Sequence, residues 1–270
     1  MQNFLKILLS LISLLVFSNL VNGQVNDIKK ESKKNSEKTT TESNNNSNNN
    51  SSATDNGGCL NDLFSGCIST CFSSAFEALI IGSIELQKEY ISEKTKIQTV
   101  ISLEFIPSYA YCFKGSNLIM PRIRGNWGLF STDFRYYNIL ESTANNGIEN
   151  YKTYDWQILE LNPLITKNVK FRIGSGFMFE DFSKTYFPEH FIGLDLLFDK
   201  DKYLANLEFR IAKDYNKGST PRTEGNIRMN YRILKLDNLS GYATLGGLYQ
   251  NYYSSIDLWC IQAGMAFNFH

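Results

Sequence analysis

Polar and apolar residues alternate along most of the C-terminal two-thirds of the chain. In Val169–Glu180, Phe171 and Ile173 fall on one face of a strand, and Lys170 and Arg172 fall on the other. Successive residues of a strand point to opposite faces, so this segment has an apolar face and a charged face. About ten such segments lie in residues 96–270, each near the roughly 9–11 residues that a strand needs to cross a bilayer.

Five more segments show the same two-faced alternation: Ile119–Trp127, Phe130–Tyr136, Tyr203–Lys213, Glu224–Leu234 and Trp259–Phe269. The alternation is less regular in Trp156–Leu161 and in Gly241–Tyr249. We expect a β-bulge in each of these two segments, because one extra residue shifts the alternation.

Connections between these segments alternate in length along the chain. Short ones are expected near Gly125–Gly128, Asn162–Asn168, Asp199–Lys202 and Lys235–Asn238. Longer ones are expected near Pro107–Asn117, Ser142–Lys152, Asp181–Glu189, Asp214–Arg222 and Asn251–Ser255. In a barrel with an even number of strands, all connections of one kind then lie at one end, as in outer-membrane barrels with their longer external loops.

We therefore predict an all-β fold: an up-and-down antiparallel transmembrane β-barrel of about ten strands, preceded by one amphipathic helix. Alternation by itself does not decide which face meets water. The alternative is a soluble β-sandwich, in which the apolar faces of two sheets meet each other.

Residues 1–23 read as a secretory signal peptide. Lys6 supplies a positive start, Ile7–Phe17 is a short apolar run, and the small residue Gly23 precedes the expected cleavage site before Gln24. A retained membrane anchor is the alternative. Residues 24–58 are rich in Lys, Glu, Ser, Thr and Asn, so we expect a disordered linker with too little apolar surface to fold.

Residues 59–95 are expected to contain an amphipathic helix. Apolar residues recur in Cys59–Ile84 with the i, i+3, i+4 spacing of one helix face. Three placements remain open from the sequence: a plug in the barrel, a periplasmic helix or a transmembrane helix.

The cysteines of this segment favour a disulfide over a metal site. Cys59, Cys67 and Cys71 have no fourth soft ligand near them in sequence, and an exported protein meets an oxidising compartment. Burial of the three as small apolar residues is the other reading. Cys112 and Cys260 complete the set, and the sequence does not decide how the five pair.

Composition narrows the classes of partner. Lys plus Arg and Asp plus Glu each number 27, so the formal net charge is zero and no basic face marks a nucleic-acid binder. The aromatic content of 14% suits a barrel with aromatic belts at both membrane interfaces.

The charged faces of the strands form the most notable polar set, and in a barrel they line the lumen. A barrel of about ten strands is largely filled by its own side chains, so we expect a self-neutralising network. A narrow ion path or a small polar ligand site is the alternative. The predicted members are Arg122, Arg124, Asp133, Arg135, Lys170, Arg172, Glu180, Asp195, Glu208, Arg210, Glu224, Arg228 and Arg232.

His190 is the one plausible general base. It follows Glu180 and Asp181 at the expected external rim, with Ser175 and Ser183 near in sequence. A hydrolase of the protease or lipase type would need such a group to move a proton. A single histidine near two acids is weak support, so no catalytic residue is assigned.

Four stretches of residues 96–270 resemble bacterial outer-membrane β-barrels, above all uncharacterised single-barrel proteins of Bacteroidetes-type Gram-negative bacteria. They are Met120–Phe130, Trp156–Pro163, the Gly-rich Arg172–Glu180 and the closing Trp259–Phe269. The resemblance implies the bacterial outer membrane and contact with its lipid. The last stretch resembles terminal strands read by barrel-assembly machinery, although the chain ends one residue later, at His270.

The sequence thus favours a structural or interaction role through external loops, with a plugged, charged lumen. The partner on the extracellular or periplasmic side is unknown, and we expect neither a cofactor nor a metal. A rim-site hydrolase and a narrow channel are the alternatives.

Overall fold

The computed structural model describes residues 23–43, 101–142, 147–166, 168–199 and 202–270. These residues form one helix, α1 (Gln24–Ser43), and twelve strands. The strands are β1 (Ile101–Ile106), β2 (Ser108–Cys112), β3 (Ser116–Ile119), β4 (Arg122–Trp127), β5 (Phe130–Ser142), β6 (Ile148–Ile165), β7 (Val169–Glu180), β8 (Thr185–Phe198), β9 (Tyr203–Asp214), β10 (Ser219–Lys235), β11 (Leu239–Tyr252) and β12 (Ile256–Phe269).

The twelve strands close into an antiparallel β-barrel with ten strand positions around its circumference, because two of the positions are each shared by two short strands. β1 and β2 follow one another along the same neighbour, β12, and are separated only by Pro107. β3 and β4 share the next strand position in the same way and are separated by Met120 and Pro121. Proline has no N–H to give to the ladder, so each break falls where it costs least. The predicted barrel of about ten strands is confirmed.

The connections between strands contain few residues at both ends of the barrel. At the end that carries α1, called the helix end, the connections are residues 113–115, 143–147, 181–184, 215–218 and 253–255. At the opposite end, called the termini end because the barrel starts and stops there, they are 128–129, 166–168, 199–202 and 236–238. The expectation of markedly longer loops at one end was wrong, because strands such as Ile148–Ile165 run well into the residues assigned to loops.

The distribution of polarity excludes the soluble sandwich. Charged side chains such as Asp133, Arg172 and Glu224 are buried inside the barrel, whereas Leu245 and Trp259 are about 60% exposed on its outside. A soluble protein buries its apolar face and solvates its charges. The inverse arrangement suits a lipid environment around a polar lumen.

Outward aromatic side chains cluster toward both ends of the barrel. Across β6–β8, the rings of Tyr154, Phe179 and Tyr186 form a continuous contact series, with centroids 4.6–6.1 Å apart. Toward the termini end, Trp127 and Phe198 are exposed outward. Aromatic groups in such positions are typical of the two interfaces of a membrane.

Helix α1 corrects the linker prediction. The disordered linker was predicted from residue 24 to residue 58, but Gln24–Ser43 is helical and its inner face is buried at the helix end of the barrel. Asp27 in the first turn suits the positive end of the helix dipole. Three stretches lie outside the described residues: residues 44–58, residues 1–22 of the predicted signal peptide 1–23, and the predicted helix at Cys59–Ile84.

One disulfide crosses the seam where the barrel closes. Cys112 on β2 is bonded to Cys260 on β12, and the two are direct partners in the strand register. The bond joins residues 148 positions apart in sequence. The three cysteines for which a disulfide was predicted, Cys59, Cys67 and Cys71, lie outside the described residues.

β6 bulges toward β7, and glycines make room for it. The register slips between Trp156 and Leu159. A Cβ added at Gly176 would lie 2.0 Å from the Trp156 carbonyl oxygen and 2.7 Å from Gln157 Cα. The inward face of β7 therefore requires glycine at this level, which explains the Gly-rich stretch. The bulge expected near Trp156 is confirmed.

Gly176→Ala should destabilise the barrel by about 1–3 kcal/mol, the usual cost of overpacking against backbone. The matched control is Gly225→Ala, because a Cβ at Gly225 meets nothing within 4 Å. We expect that control to stay within about 0.5 kcal/mol of the parent. The urea midpoint in detergent measures both, and equal shifts for the two variants would contradict the packing argument.

Candidate functional site: the charged lumen and the helix that covers it

The structure places twelve of the thirteen predicted lumen residues in buried positions. Arg232, near the termini end, is partly exposed instead. Glu180 is buried at the helix end, away from the main ion-pair network, and Lys170 donates to Asn126 Oδ1 (2.8 Å) rather than to a carboxylate.

Among the described residues, seven arginines and seven carboxylates form one ion-pair network inside the barrel. They are Arg122, Arg124, Arg135, Arg172, Arg210, Arg222, Arg228, Asp133, Asp155, Glu160, Glu189, Asp195, Glu208 and Glu224. Glu104, which is partly exposed, also pairs with Arg124, at 3.9 Å, at the edge of this network. The formal charges of the fourteen buried members cancel. That balance is what a desolvated cluster requires, since an unmatched buried charge costs several kcal/mol.

Asp133 and Glu208 are the two hubs of the network. Arg122 donates to Asp133 through Nε (2.8 Å) and Nη2 (2.9 Å), and to Glu208 through Nη1 (2.9 Å). Arg135 also bonds both hubs, at 3.1 Å to Asp133 and in a short contact with Glu208. Arg122 lies on β4 and Glu208 on β9, so these bonds cross the lumen from one wall to the opposite wall.

A second group of contacts lies toward the helix end. The guanidinium of Arg222 pairs with Asp155 and, at 2.6 Å, with Glu189. Arg210 connects this group to the hubs, because it bonds Glu189 at 3.2 Å and Asp133 at 2.6 Å.

Aromatic rings fill the space between guanidinium groups. Phe191 points inward, and its ring centroid lies 5.0 Å from Arg172 Cζ and 4.5 Å from Arg210 Cζ. Tyr137 lies under Arg222 at 4.8 Å. Such stacking separates like charges and adds cation–π attraction.

Glu160 is held more loosely than the other acids. Its nearest cations are Arg124 (3.6 Å), Arg172 (3.5 Å) and Arg210 (4.0 Å), and none of these pairs meets hydrogen-bond geometry. The carboxylate is therefore placed by the field of three guanidinium groups rather than by directed bonds.

Sequence reasoning missed four members of the network: Asp155, Glu160, Glu189 and Arg222. Asp155 and Glu160 lie on β6 on either side of the bulge, where the alternation changes phase. Glu189 and Arg222 fell in segments assigned to long loops. Extending the period-two pattern backwards from Phe191 and from Glu224 would have placed both inside.

Two cavities on the lumen side, both small, lie among the described residues. One, of about 50 Å³, lies toward the termini end and is lined by residues that include Lys170, Asp195 and Arg228. Another, of about 20 Å³, lies beside Arg122 and Arg135. Volumes of this size hold a few water molecules at most.

At the helix end, α1 covers the lumen. Val25 and Ile28 are fully buried and pack in an apolar cluster with wall residues that include Leu118, Ile139 and Leu248. This cluster separates the ion-pair network from the helix end of the barrel.

Polar contacts fix the rest of the helix to the strand ends. Ser32 Oγ donates to Glu180 (2.6 Å), Asn35 Nδ2 donates to Asp214 (3.1 Å), and Lys29 pairs with Glu149. Positions 25, 28, 32 and 35 follow the helical repeat, so one face of α1 makes all of these contacts.

Glu180 is a convergence point rather than a lumen ion pair. Besides Ser32, it accepts hydrogen bonds from Tyr151, Ser183 and Tyr253. Burial raises the pKa of Tyr253, and the Glu180 carboxylate raises it further. The phenol therefore remains a neutral donor at this turn.

His190 does not meet the acids considered beside it in the sequence. Its side chain lies on the outside of the barrel, with Nδ1 3.2 Å from Ser175 Oγ and Nε2 2.8 Å from Tyr215 Oη. Glu180 points into the barrel, and Asp181 pairs with Lys184. The alternative in which His190 meets these two acids is therefore not supported, whereas Ser175, which is near His190 in sequence, is also its neighbour in space.

Two further observations concern the described part of the chain alone. Within it, no group of three or more His, Cys, Asp and Glu side chains is arranged to hold a metal ion. The helix in this part of the chain is not apolar enough along its length to cross a membrane.

Solved structures with similar folds are barrels. A KdgM porin in complex with disordered oligogalacturonate matches at 12% identity over 63% of this chain and 100% of that chain, with a TM-score of 0.34. The N-terminal β-barrel domain of Pseudomonas aeruginosa OprF matches at 11% identity over 62% and 97%, with a TM-score of 0.29. OccK2 (OpdF) of Pseudomonas aeruginosa matches at 10% identity over 62% and 60%, with a TM-score of 0.26.

These likenesses concern the overall fold alone. No protein-family model matches the chain, and no curated protein matches it.

Glu208→Gln should destabilise the barrel by about 3–5 kcal/mol, because it leaves Arg122, Arg135 and Arg172 short of a buried partner charge. Asp181→Asn is the matched control. It breaks an exposed pair with Lys184, and we expect a change within about 0.5 kcal/mol. Urea unfolding in detergent measures both variants. A Glu208→Gln midpoint equal to that of the control would show that the hub carries no stability.

Proposed function

We propose that the protein is a closed β-barrel of the bacterial outer membrane with a structural or interaction role. The apolar outward face and the aromatic clusters toward both ends support contact with outer-membrane lipid. The last strand, which ends on the aromatic residue Phe269, supports recognition by barrel-assembly machinery.

The observation that carries the proposal is the double closure of the lumen. Ion pairs such as Arg122–Glu208 join opposite walls, and the buried residues Val25 and Ile28 of α1 cover the network at the helix end. An ion crossing this path would have to break several desolvated pairs, each of which is costly to separate. The same closure disfavours the alternative of a narrow channel.

The interaction surface of this proposal is the helix end. The outward face of α1 is charged, with the exposed side chains of Lys30, Lys33 and Lys34. Beside it lies a groove of about 520 Å³, lined by residues that include Tyr186 and Tyr215. Exposed charged and aromatic groups at one end of a rigid barrel suit recognition of a partner.

The purified protein should show no steady conductance in planar bilayers, because the network fills the lumen even where the helix does not reach. A variant that lacks residues 24–43 tests the two seals separately. We expect it to remain non-conducting as well, since the hubs Asp133 and Glu208 lie below the helix. An open porin recorded in the same bilayer is the positive control. A steady large conductance from the parent protein would overturn the proposal in favour of a channel.

A rim-site hydrolase is the second candidate, favoured by the contacts that join Ser175, His190 and Tyr215. In the described residues no carboxylate contacts His190, so a charged orienting group is lacking there. We expect His190→Ala and Ser175→Ala to leave the properties of the protein unchanged, with no hydrolysis of peptides or phospholipid esters by the parent. Hydrolysis that disappears in both variants but persists in Ser183→Ala would establish the enzyme instead.

A further inference from the structure

Glu141, at the end of β5, lies against the first residues of α1. Its side chain is buried, with 3% of the residue exposed. Oε1 accepts a hydrogen bond from the backbone N of Gln24 (3.1 Å), and Oε2 accepts one from the backbone N of Val25 (2.8 Å). Among the described residues, no lysine or arginine forms an ion pair with it.

The other acids that hold α1 are provided for differently. Glu149 pairs with Lys29, and Asp214 has Lys217 at 3.9 Å. Glu180 is surrounded by hydroxyl donors, among them Ser32. Within the described part of the chain, Glu141 is thus a buried carboxylate that accepts hydrogen bonds from backbone nitrogen atoms and has no cationic partner, and a buried anion without a cation is costly.

The nitrogen that faces Glu141 belongs to the bond at which the sequence predicts signal-peptide cleavage. Gly23 is exposed, and Gln24 directly after it is buried. Hydrolysis of this bond by a signal peptidase consumes one water: the hydroxyl goes to the Gly23 carbonyl carbon, and the Gln24 nitrogen takes up protons and becomes an α-ammonium group. A cation would then arise at the atom 3.1 Å from Glu141 Oε1.

We propose that processing creates a buried ion pair between the α-ammonium of Gln24 and Glu141, which fastens α1 over the lumen. A positive charge at the first residue of a helix opposes the helix dipole, and Glu141 compensates for that cost. The leader-bearing chain has only a neutral amide at this place. Closure of the helix end is therefore coupled to maturation, whether or not the lumen conducts.

The contacts of the Gln24 side chain disfavour a reaction that would remove the α-amine, namely cyclisation of an N-terminal glutamine. Nε2 donates to the Asp257 carbonyl oxygen (3.2 Å), and Oε1 accepts from Ser116 Oγ (3.4 Å). An N-terminal glutamine loses its amine when that nitrogen attacks its own Cδ and ammonia leaves. The two contacts direct the carboxamide toward the wall, so we expect the docked N-terminus to stay uncyclised.

The first test is the chemistry of the mature N-terminus. Protein purified from the outer membrane should begin at Gln24 with a free amine, as shown by N-terminal sequencing and intact mass. A retained leader, another start, or the mass loss of one ammonia that marks the lactam would each overturn the proposal.

The second test moves the charge without changing Glu141. Two proteins are refolded in parallel, one that begins at Gln24 and one with a single extra Met before it. Amide hydrogen exchange of α1 and trypsin cleavage after Lys30 report whether the helix is docked. We expect both rates to rise at least about tenfold in the Met-extended protein, as for a lost hydrogen bond to a charged group.

Glu141→Gln should raise the same two rates to a similar extent. Glu149→Gln is its matched control, because Glu149 also holds α1 from a strand end, through Lys29. That control weakens a more exposed pair, so a rise of less than about twofold is expected. If the Met-extended protein is as well protected as the one that begins at Gln24, Glu141 merely caps backbone amides and the proposal fails. This outcome does not depend on Glu141→Gln folding, and bilayer conductance separates it from failure of the proposed function.

Discussion

Charge removed from water is the constraint on which the interior of this barrel depends. An arginine or a carboxylate in the lumen is tolerated only when opposite charges from other strands meet it. Arg122 and Glu208 come from opposite walls, so their bond constrains the diameter of the barrel. Asp133, on the strand next to Arg122, accepts from arginines on both sides of the lumen and ties the two walls into one unit.

The helix end obeys a different physical rule from the middle of the lumen. There the wall presents Leu118, Ile139 and Leu248 inward, and these apolar groups need a cover that the barrel does not supply. Val25 and Ile28 supply it with very little apolar surface. The remaining stability of the docked helix comes from acids at the strand ends, each of which contacts a different position on one face of α1.

The sequence predicted the barrel well because alternation has the period of the strand itself. The alternation of Phe171, Arg172 and Ile173 shows which side chains point outward and which point inward, and no knowledge of a neighbouring strand is needed. The pattern failed at the β6 bulge. There the extra residue reverses which positions face the lumen, so the alternation placed Glu160 on the wrong face. It also failed at the strand ends, where Glu189 follows polar turn residues and reads as loop.

Helix α1 escaped prediction for a different reason. Its buried face consists largely of polar residues such as Ser32 and Asn35, whose partners are more than a hundred positions away in the chain. Composition weighs such a segment by its apolar content and classes it as disordered. The contacts that hold the helix come from apolar groups and acids that the barrel brings together at one end, and no local pattern in the sequence predicts that arrangement.

The disulfide between Cys112 and Cys260 changes the topology of the wall itself. Without the bond, only hydrogen bonds would close the barrel where β2 meets β12. The first and last strands could then separate from each other at this seam. With the disulfide formed, a covalent bond closes the ring of strands, and β2 and β12 cannot separate at this level while the bond is oxidised. The first and last strands of the barrel therefore stay joined even when the hydrogen bonds between them are broken, and a reductant is needed before the wall can open along this seam.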